Sequence, residues 1–141
     1  MIYLDTSLVV ALCTREPASD RVEAALRSMS EPFMSSEWTR VEYTSAIGLK
    51  LRTHELGEAL ARQALAKYYE AFEPGVTLIV PSHEDYISAA DLLQGFERAL
   101  RSGDALHLAI AINRQATGLL TLDRAFIKAA ADTPVPVALP W

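Results

Sequence analysis

Apolar runs and polar breaks alternate along the chain in a way that predicts strands and helices in turn. Ile2, Tyr3 and Leu4 form a short apolar run ended by Asp5, which predicts a buried strand over 2–4. The block Leu8-Val9-Val10-Ala11-Leu12 is helical, with Thr6 or Ser7 placed to cap it. Pro17 suits the first turn of a second helix, whose apolar positions include Val22, Ala25, Leu26 and Met29. Residues 32–35 predict a weak strand. Helical periodicity covers about 37–50 and, after a turn at 53–55, about 56–72, where Pro74-Gly75 stops it. Residues 76–80 predict a strand closed by Pro81, and Ser82 caps a helix reaching about residue 100. After a turn at 101–103, Asp104 opens a helix through 112. A strand at 119–122, a helix starting at Asp123 and an edge strand at 135–139, confined to the edge by Pro136, complete the pattern.

Strands separated by helices imply an α/β fold, a parallel sheet with helices on both faces. The chain has 141 residues, which suits one domain over 1–141. The helical hairpin at about 37–72 is long for a simple crossover and suggests an inserted interface or substrate clamp. Half the residues are hydrophobic, a globular profile. No apolar stretch reaches the roughly 20 residues needed to span a bilayer. Cys13 is the only cysteine, so no intrachain disulfide or thiolate metal site is available, and a cytoplasmic location is expected. The segment MIYLDTS lacks a basic region, so no signal peptide is expected there. The net charge of −5 excludes nucleic-acid binding by bulk positive charge, though not by an acidic site that holds metal.

That acidity directs attention to four carboxylates. Asp5 and Asp123 each follow a predicted strand, and ligands of open parallel sheets bind beyond the carboxyl ends of strands. If those strands are neighbours, both side chains enter one crevice. Asp104 lies at a helix start, where the helix dipole favours an anion. Glu42 is the sole charge on the helical stripe Trp38, Glu42, Ala46, Leu49, so it needs a cation. Four oxygen ligands without a histidine or cysteine motif select Mg²⁺ or Mn²⁺ over Zn²⁺, and such a cluster suits phosphodiester hydrolysis. Taken singly, Asp5 could be a helix cap, Asp104 and Asp123 could stabilise helix starts, and Glu42 could pair with Arg101. His107, three residues after Asp104, is expected as a core or supporting histidine. Arg40, Lys50, Arg52 and Arg101 are candidate phosphate contacts but too dispersed for a patch, and Trp38 is a candidate base-stacking residue.

The segments IYLDTSLVVAL, SGDALHLAIA and LLTLDRAF, with the helical Glu42 between the first two, resemble PIN-domain ribonucleases, above all the VapC-type toxins of bacterial toxin–antitoxin pairs. The resemblance implies a three-layer α/β/α sandwich around a parallel sheet of about five strands. It implies that Asp5, Glu42, Asp104 and Asp123 are the catalytic acids that hold Mg²⁺ or Mn²⁺, with Thr6 and Thr121 supporting them. It further implies an RNA substrate, a homodimer and a cognate antitoxin. A free-standing PIN-like nuclease and a degenerate PIN domain acting only as a binding module are the alternatives. A phosphatase with an aspartyl nucleophile is disfavoured because Ser7 stands where the second acid belongs, and a receiver domain because Asp5 has no acidic neighbour.

Overall fold

The computed structural model describes all of residues 1–141. In chain order the main elements are β1 (Ile2–Leu4), α1 (Thr6–Cys13), α2 (Ser19–Arg27), β2 (Phe33–Ser36), α3 (Glu37–Arg52), α4 (Glu58–Lys67), β3 (Thr77–Ile79), α5 (His83–Leu93), α6 (Ser102–Asn113), β4 (Gly118–Leu120), α7 (Arg124–Ala129) and β5 (Val137–Ala138). The five strands form one parallel sheet in the order β3-β2-β1-β4-β5. The chain moves outward from β1 on one side through β2 and β3, and on the other through β4 and β5. The crevice between β1 and β4 is thus the point where strand order reverses.

Successive strand residues point to opposite faces, which fills two cores. Tyr3, Met34 and Leu119 pack with Ala89, Leu108, Ile110 and Phe126 beneath α5, α6 and α7. Leu4 and Leu120 pack with Leu8, Val9, Tyr43, Ile47 and Tyr68 beneath α1 to α4. The result is a three-layer α/β/α sandwich. α6 is buried from Ala105 to Ala111, as an apolar run without a polar face requires.

Several boundaries differ from those predicted. Asp5, rather than Thr6 or Ser7, caps α1. The helix expected to reach residue 100 ends at Leu93. Gly95 follows, then a 3₁₀ turn at Phe96–Arg98, and Ala99 adopts a left-handed conformation with φ of 54°. The stretch expected as helix to 72 ends in a π-helical turn at Tyr68–Phe72 that buries both of its terminal aromatic rings. α6 starts at Ser102, so Asp104 lies within its first turn instead of opening it. β4 stops at Leu120, before the hydroxyl of Thr121 turns toward the acids described below. β5 is an edge strand, as Pro136 predicts, but covers two residues only.

α3 also carries its buried face elsewhere than expected. Thr39, Tyr43 and Ile47 line it, whereas Leu49 of the predicted stripe is 53% exposed. Glu42 therefore stands at the border of the packed face, facing α6.

Candidate metal centre

Asp5 leaves the end of β1 with extended backbone and a side chain almost wholly buried. Its Oδ2 accepts hydrogen bonds from Ser7 Oγ and Thr121 Oγ1, both at 2.7 Å, and from the Ser7 N–H at 3.3 Å. The same hydroxyls brace β4: Ser7 Oγ accepts from the Leu122 N–H, and Thr121 Oγ1 from the Asp123 N–H. Oδ1 of Asp5 accepts no hydrogen bond.

Glu42 follows the same rule from α3. Its Oε2 accepts from Thr6 Oγ1 at 2.5 Å and from His107 Nε2 at 2.7 Å. Its Oε1 lies against the first turn of α6, where a β-carbon on Gly103 would collide with it. Glycine there is what lets the helix approach the carboxylate. Burial works against the charge of Glu42, but the bonds from His107 and Thr6 outweigh it and hold the carboxyl below the usual range.

His107 is fully buried in α6 beneath both acids. Its Nδ1 lies 2.8 Å from the hydroxyl of Tyr3, which in turn lies 2.8 Å from Ser36 Oγ. Its Nε2 is 3.1 Å from Thr6 Oγ1 and 3.5 Å from Asp5 Oδ1. Burial disfavours the imidazolium, yet the hydrogen bond to Glu42 and the charges of Asp5, Glu42 and Asp104 prevail and raise its pKa.

Asp104 accepts no hydrogen bond. Burial, and then the negative charges of Asp5 and Asp123, push its carboxyl up to about 6. Asp123 caps α7: its Oδ1 accepts from the N–H groups of Ala125 and Phe126, and its Oδ2 lies 3.4 Å from Arg101. Arg101 thus meets Asp123 and not Glu42. Arg40 is engaged by Glu73 and Glu37, and Lys50 by Glu16 and Glu55, so neither offers a free cation to a phosphate. Trp38 is half-buried, with its indole N–H turned inward beside Gly103 and the Glu42 carboxylate, whose charge it favours.

Asp5, Glu42 and His107 each bring a polar atom within 4.8 Å of the others. His107 nevertheless does not suit a ligand role. Nε2 faces a carboxylate oxygen at 2.7 Å, and the single hydrogen of Thr6 Oγ1 already points to the same oxygen, so Nε2 must carry a proton. Asp5 Oδ1 and Glu42 Oε1 accept no hydrogen bond; Asp104 lies close enough to feel the charges of Asp5 and Asp123, but neither Asp104 nor Asp123 joins the cluster within 4.8 Å. This all-oxygen set fits a hard divalent ion, and the mutual repulsion felt by Asp104 is what such an ion would relieve. A surface hollow of about 460 Å³ lies at the opposite end of α6, against Asn113, and holds none of these acids.

Of the four acids expected from the sequence, the structure gathers Asp5 and Glu42 within 4.8 Å of each other and of His107, with Thr121 on Asp5 and Thr6 on Glu42; Ser7 was expected only as a possible cap, and Tyr3 and Gly103 were given no role. The signal for Ser7 was its place two residues after a strand-ending acid. Tyr3 gave none, because its partner lies across the sheet.

The PIN domain family model matches residues 2–132. The chain belongs to the PIN domain family. Solved structures share the fold of this PIN domain at low sequence identity. VapC20 of Mycobacterium tuberculosis, described as a sarcin–ricin loop cleaving toxin, is 21% identical with a TM-score of 0.72, over 94% of this chain and 95% of that one. FitAcB of Neisseria gonorrhoeae is 20% identical with a TM-score of 0.77, over 100% and 99%. A toxin–antitoxin complex from Klebsiella pneumoniae is 21% identical with a TM-score of 0.65, over 100% and 98%. No curated protein matches the sequence.

Proposed function

We propose that this PIN domain is an endoribonuclease dependent on Mg²⁺ or Mn²⁺ and the toxin of a type II toxin–antitoxin pair, with Asp5, Glu42, Asp104 and Asp123 as its catalytic, metal-holding acids. One observation carries the catalytic part. Asp5 and Glu42 each have one oxygen secured by hydroxyl or N–H donors and the other without a hydrogen bond, and Asp104 lies near enough to Asp5 to feel its charge. A divalent ion held there would lower the pKa of a bound water and neutralise charge on a phosphodiester. Thr6 and Thr121 fix the two carboxylates. Arg101 is 71% exposed and held only by its 3.4 Å contact with Asp123, so it is free to turn to a substrate phosphate. The toxin role and a cognate antitoxin draw their support from the likeness to VapC20 and to the toxin–antitoxin complex from Klebsiella pneumoniae, while the homodimer and the cytoplasmic setting follow from the family resemblance alone.

Asp5→Asn is the decisive variant, because Asn caps a helix as well as Asp and the fold is kept. Mn²⁺-dependent cleavage of RNA by the native protein should vanish in this variant and in excess EDTA. Undiminished cleavage in either case would overturn the proposal. A native protein that cleaves RNA without arresting growth when expressed would instead be a free-standing nuclease. One that binds no Mn²⁺ would be a binding module.

A further inference from the structure

Glu42 is reached from below by a chain of side chains that the reaction itself does not require. Ser36 at the end of β2, Tyr3 in β1 and His107 in α6 are each completely buried, and they connect in sequence: Ser36 Oγ to Tyr3 Oη, Tyr3 Oη to His107 Nδ1, His107 Nε2 to Glu42 Oε2. Residues from four elements therefore meet in one line of hydrogen bonds, with no member in contact with solvent except the last. A buried polar chain of this kind is costly unless every member is satisfied. Tyr3 could be replaced by phenylalanine, and His107 by leucine, if filling the core were their only task.

We propose that His107, held by Tyr3 and Ser36, is a positioning residue that fixes Glu42 so that it presents Oε1 alone to the metal. The argument turns on which atoms have hydrogens. Nε2 faces the carboxylate and carries a proton whether the ring is neutral or charged. For the neutral ring, Nδ1 then has a lone pair and must accept the hydrogen of Tyr3, which would have to turn away from Ser36, to which it donates here. For the charged ring, Nδ1 donates to Tyr3, which donates to Ser36. Either direction leaves Nε2–H aimed at Oε2, so the restraint on Glu42 does not depend on the charge of the ring. Thr6 binds the same oxygen at 2.5 Å, and the two donors together hold the carboxylate in one rotation. Gly103 then admits Oε1 to the crevice. Partners that orient a ligand in this way typically contribute 10–100-fold to metal affinity.

The inference rests on the nuclease proposal for its purpose, but its physical content is testable apart from that. Long-range ¹H–¹⁵N spectra of the native protein should show His107 protonated at Nε2, and a bare Nε2 would overturn the restraint whatever the protein catalyses. Titration with Mn²⁺ alone should then compare Tyr3→Phe, His107→Leu and His107→Gln with the native chain. Tyr3→Phe keeps the ring and the packing. His107→Gln retains an N–H that reaches Oε2, whereas leucine offers none. The expected result is Mn²⁺ affinity lower by about 10–100-fold in His107→Leu, lower to a smaller degree in Tyr3→Phe and largely regained in His107→Gln. RNA cleavage should lose kcat at saturating RNA with little change in KM. Unaltered Mn²⁺ affinity in folded Tyr3→Phe and His107→Leu would refute the positioning role while leaving the nuclease reading intact. Native protein that neither binds Mn²⁺ nor cuts RNA would refute the metal-positioning role together with that reading.

Discussion

At the scale of single residues, the centre depends on small groups as much as on its acids. Thr121 donates to Asp5 Oδ2 and accepts from the Asp123 N–H, so one hydroxyl ties the ends of β1 and β4. Thr121→Val should lower stability by about 1–2 kcal/mol in urea unfolding, and Thr121→Ser should retain most of it. Gly103 makes the opposite point. Glycine to alanine within a helix ordinarily gains up to about 1 kcal/mol, and the backbone here is ordinary helix. Gly103→Ala should therefore sharply reduce RNA cleavage while its helix-propensity gain is offset in thermal unfolding, because its β-carbon displaces Glu42 from Thr6 and His107. The acids were legible because a charged residue ending an apolar run, or interrupting an apolar helix, needs a reason. His107 was legible only as a neighbour of Asp104. Spacing gives the side of a helix but not what lies across from it, and its three partners, Tyr3, Thr6 and Glu42, come from distant segments.

At the scale of elements, α6 matters most, since it carries Gly103, Asp104 and His107. Its far end is secured by Asp85, a fully buried carboxylate that completes the capping box of α5 with Ser82 and accepts from Asn113 and Arg114. Burial raises the pKa of Asp85, but the Ser82 N–H, Asn113 and Arg114 more than compensate and hold it below the usual value. A carboxyl depressed in the folded state stabilises fully above its unfolded pKa of about 3.9, and this contribution fades as pH falls through the lower folded value. Urea melts should accordingly show a loss of stability below about pH 4 that is shallower in Asp85→Asn. Asp85→Ala should cost about 3 kcal/mol at pH 7, measured the same way, because it removes both a cap and the partner of a half-buried arginine. The apolar runs of the strands announced themselves, bounded as they are by Asp and Pro. The early end of α5 did not, since its polar pattern continues past Leu93 and only Gly95, with the left-handed Ala99 beyond it, marks the break.

At the scale of the whole molecule, the charge is concentrated where the chemistry is proposed. The chain has a net charge of −5, and the four acids of the centre supply four of those charges, so the remaining surface is nearly balanced. RNA cleavage should thus depend only moderately on salt, and a steep fall between low and physiological salt would contradict a centre that engages RNA mainly through metal and shape. Mn²⁺ at 100 times its dissociation constant should stabilise the native fold by about 2.7 kcal/mol over EDTA in thermal or urea unfolding, and Asp5→Asn should show little of that gain. The order of strands was only partly visible beforehand. Alternating elements imply a parallel sheet, but nothing local states that β1 lies between β2 and β4, which is what brings Asp5 and Asp123 together.

The donors that secure Asp5 are Ser7, Thr121 and a main-chain N–H, and those on Glu42 are Thr6 and a ring nitrogen that keeps its proton in either charge state. None of these is an ammonium or guanidinium group. Asp5 and Glu42 are therefore fixed without a lysine or arginine that could be competed away, the one guanidinium at the centre being Arg101 on Asp123. Electrostatic conditions that weaken the capture of a cation would leave the arrangement of oxygens awaiting it unchanged. Occupancy and geometry are separable here: an emptied centre should refill without the fold having to rebuild it.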